Sequence, residues 1–199
     1  LAERQMRASG EAAAAARARI EVLQPFSVDL APTGLAQGRI VVSVQDLVVG
    51  HVPGHPVLNG LSFTITGPER VALTGPNGSG KTTLVSVLAG HLAPFGGSAV
   101  VHTPFALLDQ RVSILDRSLS IRQNFRNLNP ESDENACRAA LARFRFRADA
   151  ALQTVGTLSG GEMLRAGLAC ALGGLHPPPL LILDEPTNHL DVESVETVE

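Results

Sequence analysis

The chain has 199 residues, 44% of them hydrophobic, which is enough for one well-packed core with an appended segment. No apolar run approaches the ~20 residues that cross a bilayer, and Glu11, Arg17 and Arg19 interrupt or flank the N-terminal alanines; neither a span nor a secretory leader is expected, and the cytoplasm follows by default. A net charge of −3 gives no overall case for nucleic-acid binding, and Cys137 and Cys170, far apart with no CxxC and no His neighbour, read as core thiols rather than zinc ligands or a disulfide.

Residues 1–23 are rich in Ala, Arg and Glu and lack proline, which predicts a helix. Its mostly alanine face packs on something outside the chain, extends a coiled coil, or is simply solvated. Pro25 and the stretch Ala31, Pro32, Thr33 and Gly34 break it, leaving a connection over 24–38. From residue 39, short β-branched runs predict strands over 40–44, 47–49, 61–65 and 71–74, with a turn-rich piece from Gly50 to Pro56. A helix is predicted over 82–89, stopped by Gly90, then strands over 99–101 and 105–108. From 119 to 152, amphipathic spacing with Ser132 as the expected N-cap predicts a small helical subdomain. A further helix begins at Ser159 to Gly161. Residues 180–183 are wholly apolar, the mark of a strand buried on both faces, and end in Asp184 and Glu185. Strands alternating with helices imply a mainly parallel α/β sheet.

Gly75, Pro76, Asn77, Gly78, Ser79, Gly80, Lys81 and Thr82, with Thr83 following, fit GxxxxGK[ST] between an expected strand and an expected helix. Glycines let the backbone wrap closely enough to aim consecutive N–H groups at phosphate oxygens, and the helix start adds the positive end of its dipole. Lys81 supplies a compact charge to the outer phosphates, and the Thr82 hydroxyl suits Mg²⁺. Of the 16 basic residues, Lys81 is the single lysine, standing where this chemistry asks for one. Asp184 and Glu185 emerge at the carboxyl end of a strand, where ligands bind in open α/β sheets. Asp184 is the candidate for the Mg²⁺ shell and Glu185 the candidate general base for a water.

Leu158, Ser159, Gly160, Gly161 and Glu162 resemble the LSGGQ signature of ATP-binding cassette proteins, with Glu in place of the final Gln. The run DEPTNHLD from Asp184 to Asp191 resembles the ABC-F branch, most closely the C-terminal cassette of its soluble two-cassette proteins, many of which act on ribosomes. The resemblance implies an α/β P-loop NTPase fold with a mainly parallel core sheet, an antiparallel β part and a helical subdomain at about 111–158. It implies ATP and Mg²⁺ as cofactors, with two nucleotides sandwiched between two cassettes. Ser159, Gly160, Gly161 and Glu162 would then face the nucleotide of a second cassette, in the same full-length chain or in a homodimer. Gln110 matches the Q-loop, touching Mg²⁺ and the attacking water. His51 takes roughly the place of the adenine-stacking aromatic, with a plain turn residue as the alternative. Asn188 to Asp191 match the D-loop, and 1–23 with 24–38 match the end of an inter-cassette linker leading into a cassette at 39–199.

The family's switch histidine, on a strand after the D-loop helix, has no counterpart before Glu199, so a sequence truncated at its C-terminus is expected. The leading functional expectation is an ABC-F ATPase coupling ATP to a conformational change on the ribosome. The alternatives are the ATPase subunit of a membrane transporter and a non-hydrolysing module whose nucleotide controls assembly. Arg138, Arg143, Arg145 and Arg147 form either an RNA contact or a solvated helix face.

Overall fold

The computed structural model describes residues 32–185. The helix expected over 1–23, most of the 24–38 connection, and Asn188, His189 and Asp191 lie outside them.

Strand β1 (Arg39–Val49) absorbs the first two expected strands. The break between them survives as a bulge, with Asp46 at φ 44° and a register shift between Val44 and Leu47. The Asp46 N–H, turned out of the ladder, donates to Ser62 Oγ at 2.7 Å. Opposite the bulge, Gly97 sits at φ 72°, and a Cβ there would collide with the carbonyl oxygens of Gln45 and Asp46. Glycine is the residue this close backbone approach admits. β2 (Leu58–Gly67) and β3 (Gly96–Val101) flank β1, both antiparallel to it. Val42, Val44, Leu47 and Val49 pack with Leu84 and Val87 of helix α1 (Lys81–Leu88) to form the first of two cores.

The second core is helical. Helices α2 (Ile121–Leu128), α3 (Glu134–Arg143) and α4 (Gly160–Leu172) close around Phe125, Leu141 and Val155, all fully buried. Two asparagines hold it without stranding a polar group. Asn124, 3% exposed, accepts from the Asp116 N–H and donates to the Asp116 and Ser120 carbonyls. Asn129 Nδ2 donates to the Cys170 carbonyl at 2.9 Å, tying the end of α2 to α4. Cys137 and Cys170 are free thiols in this core, as composition implied. Burial raises both, Cys170 to about 12, so they act as small apolar side chains. The arginine run is partly structural: Arg138 pairs with Glu134 at 2.8 Å, and Arg143 donates to the Gly173 carbonyl.

Strands β4 (Phe105–Leu108) and β5 (Leu180–Leu183) pair in parallel between the cores. Leu181 and Leu183 face the helical core and Leu180 the sheet core. All four β5 residues remain half-buried, less covered than expected, because β4 flanks only one edge among the described residues. Two further expectations need correction. Residues 71–74 form no strand, and Val71 and Leu73 are 52% and 45% exposed, since an apolar run becomes a strand only where a neighbour completes its ladder. The cap of α3 is Asp133, whose carboxylate accepts from the Ala136 N–H at 2.7 Å; Ser132, one residue earlier, is buried. The carboxylate's charge suits the helix N-terminus better than a hydroxyl.

Phe125→Ala should cost about 3–5 kcal/mol by leaving a cavity where α2 meets α4, whereas Leu152→Ala at an exposed site should stay within about 0.5 kcal/mol. Urea unfolding followed by circular dichroism measures both.

Candidate active site

The turn before α1 is built so that its N–H groups stay available. Gly80 takes the N-cap position at φ 95°, in the left-handed region, and contributes no side-chain acceptor. A Cβ there would lie 2.7 Å from Leu58 Cδ2. The other three α-helices among the described residues are each capped by a side chain, from Ser120, Asp133 and Ser159. α1 alone therefore opens onto its preceding loop with unclaimed first-turn donors, the arrangement that holds an anion. Within the loop the Ser79 N–H donates to the Pro76 carbonyl at 3.2 Å. Lys81 Nζ folds back to donate to the carbonyls of Gly75 at 2.9 Å and Pro76 at 3.1 Å. The loop thus closes around the ammonium where phosphate oxygens would take over those bonds.

Strand pairing supplies the opposite wall. β4 and β5 run in register, Leu108 beside Leu183, and the Asp184 N–H extends the ladder by donating to the Leu108 carbonyl at 3.0 Å. The next residues on each strand must therefore emerge side by side. Gln110 Nε2 donates to Glu185 Oε2 at 2.6 Å. Thr82 Oγ1, on the first turn of α1, donates to Asp184 Oδ1 at 3.2 Å, joining the glycine loop to the strand end.

Asp184 is only 6% exposed. Burial raises its pKa, and the Glu185 and Asp109 carboxylates push the same way, against the Thr82 hydrogen bond and the Lys81 charge, which lower it. A buried carboxylate so placed gains from a cation. The hard oxygens of Thr82 and Asp184 suit Mg²⁺, which takes one or two protein ligands and completes its shell with phosphates and water. Asp109 was not among the expected site residues. It directly follows β4 as Asp184 follows β5, and that equivalence was the available signal. Its carboxylate accepts from both the N–H and the hydroxyl of Ser113, at 2.7 Å each, which pins the turn after Gln110.

His51 Nε2 lies 3.3 Å from Thr83 Oγ1, which holds the ring beside the start of α1. Thr82 with Asp184, Thr83 with His51, and Gln110 with Glu185 thus make three contacts around one helix start and one strand end, with Lys81 on the same helix start bonded to its own loop. The turn of Ser159, Gly160, Gly161 and Glu162 stands apart, at the head of α4, bonded to none of them among the described residues. There Ser159 and Glu162 form a capping box.

Residues 58–188 match the family described as ABC transporter. An ATP-binding protein Uup-like of Haemophilus influenzae is 36% identical over 189 residues, covering 92% of this chain and 40% of that protein. A probable ATP-binding cassette sub-family F member 3 homolog of Encephalitozoon cuniculi is 37% identical over 164 residues, covering 82% of this chain and 28% of that protein. The solved ATP binding subunit of an ABC transporter superposes with a TM-score of 0.65 at 25% identity, covering 79% of this chain and 71% of that one. The chain spans less than half the length of these two curated relatives.

Asp184 also sets a pH dependence. Its folded pKa lies above the ordinary 3.8, so its contribution to stability is fully present below that value and is lost as pH rises through the folded pKa. Asp184→Asn should therefore melt higher than the parent at pH 7 in EDTA without nucleotide, with the gap closing towards pH 4. Thermal melts across that range read the result.

Proposed function

Because the chain belongs to the ABC transporter family of ATP-binding cassettes, we propose that it binds MgATP on the loop from Gly75 to Thr83 and, within its full-length protein, hydrolyses it. The single observation that carries this reading is the Thr82–Asp184 hydrogen bond at 3.2 Å, which couples an open helix start to a strand-end acid. The loop N–H groups and Lys81 bind the phosphates. A bound Mg²⁺ would neutralise charge on the outer phosphates, with Thr82 and Asp184 to hold it. Glu185 takes a proton from the attacking water, and Gln110, already bonded to Glu185, orients that carboxylate. His51 lies against the adenine.

We assign 39–199 to the cassette, with its helical subdomain at about 111–158, and 1–38 to a linker and connection. Among the described residues, Ser159, Gly160, Gly161 and Glu162 make no hydrogen bond to the local site, which supports a sandwich in which they close over the nucleotide of a second cassette. The identity to F-family proteins supports an ABC-F protein, and we infer for it, from the resemblance of its DEPTNHLD run, work in the cytoplasm on the ribosome. Among the described residues no helix is long and apolar enough to cross a membrane. The likeness to a transporter's ATP binding subunit favours one other reading, an ATPase that drives a separate membrane protein.

Lys81→Ala should weaken ATP binding by about a hundredfold or more, as loss of a charged contact in a closed loop implies. Glu185→Gln should keep ATP bound while turnover in the full-length protein falls by about a hundredfold. Fluorescent-nucleotide titration and phosphate release measure the two. Co-sedimentation of the full-length Glu185→Gln protein with ribosomes in ATP supports the ribosomal reading. Its absence, with recovery on a membrane permease, supports the other.

A further inference from the structure

The signature turn carries an acid where the proposed sandwich requires an anion to dock. One oxygen of Glu162, Oε2, accepts both the Ser159 N–H and the Ser159 hydroxyl, each at 2.8 Å. The hydroxyl in turn accepts the Glu162 N–H at 3.4 Å. A serine hydroxyl has one proton to give, and here it is given to a carboxylate. Ser159 and Gly160 are exposed, so this turn presents its donors to solvent with a negative charge already seated against them. The contrast with Gly80 is direct. That helix start carries no side-chain acceptor and a neighbouring lysine, whereas the head of α4 carries its own anion.

We propose that Glu162 is a built-in competitor for the opposing phosphate, holding the Ser159 hydroxyl in the open cassette and loosening the closed pair by like-charge repulsion. This rests on the two-cassette reading above and adds to it a residue that sets the strength of closure. A phosphate arriving at the turn must draw the Ser159 proton away from the carboxylate and then sit beside that carboxylate. Closure is thereby kept reversible. A purely structural cap makes a different claim, because glutamine at this position keeps the reciprocal hydrogen bonds and loses only the charge.

The test is ATP-driven pairing of the two cassettes of the full-length protein in a Glu185→Gln background, read by sedimentation velocity as compaction where both cassettes lie in one chain and as dimerisation where they do not. Adding Glu162→Gln should tighten pairing about tenfold at ~0.05 M salt, as expected for removing one charge a few ångströms from a phosphate. The gain should shrink at ~0.5 M salt, where screening reaches only a few ångströms. Glu162→Ala, which loses the charge and the return half of the capping box while Ser159 still caps the helix, should melt lower yet still pair more tightly than the parent at low salt. Equal or weaker pairing by the Gln variant, with the Ala variant worse at every salt concentration, overturns the proposal and leaves Glu162 as a cap. If the parent and both variants all fail to pair in ATP, the sandwich reading itself falls and takes this inference with it.

Discussion

The in-register parallel pairing of β4 with β5 is the constraint on which the site depends. Parallel strands in register deliver equivalent positions to the same edge. Once Leu108 lies beside Leu183, Asp109 must neighbour Asp184 and Gln110 must neighbour Glu185. No side chain has to reach far, and the 2.6 Å contact between Gln110 and Glu185 follows from the ladder. The same pairing joins the two cores of the described residues, because Leu180 packs on the sheet core and Leu181 and Leu183 on the helical one.

Against this edge stands the first turn of α1, and the two meet through Thr82 and Asp184. The helix belongs to the sheet core through Leu84 and Val87, so the glycine loop is carried by the antiparallel sheet and the acids by the parallel pair. The site is a seam between them. Three carboxylates, those of Asp109, Asp184 and Glu185, gather there with the chain's single lysine. Burial makes that concentration of negative charge unfavourable unless cations are present, which is why the arrangement reads as half of a metal–phosphate complex rather than as packing.

Two helix starts in one chain illustrate how the same backbone physics is turned to different uses. Both leave N–H groups facing forward. At Gly80 the absence of a side chain leaves them open; at Ser159 a capping box closes over them. The difference lies in a few side-chain atoms: one helix start has no side-chain acceptor against its donors, and the other carries a carboxylate.

Much of the site was legible in the chain itself. The GxxxxGK[ST] run, the apolar stretch ending in Asp184 and Glu185, and the helix start at Ser159 to Gly161 are contiguous patterns whose shape is set by local backbone conformation, so reading order and spatial order coincide. Strand and helix positions followed for the same reason, since hydrophobic period and glycine breaks act over a few residues. What only the tertiary structure decided depends on partners distant in sequence. Two short predicted strands became one because β2 and β3 pair along both and the Asp46 bulge absorbs the break. The run at 71–74 stayed out of any ladder because no described strand lies beside it. Asp109 entered the site because β5 came to rest next to β4; its place directly after a predicted strand was a signal, but which strand would lie beside it was not encoded there. Composition and spacing determined which chemistry this chain carries; the register between strands remote in sequence decided which side chains share it.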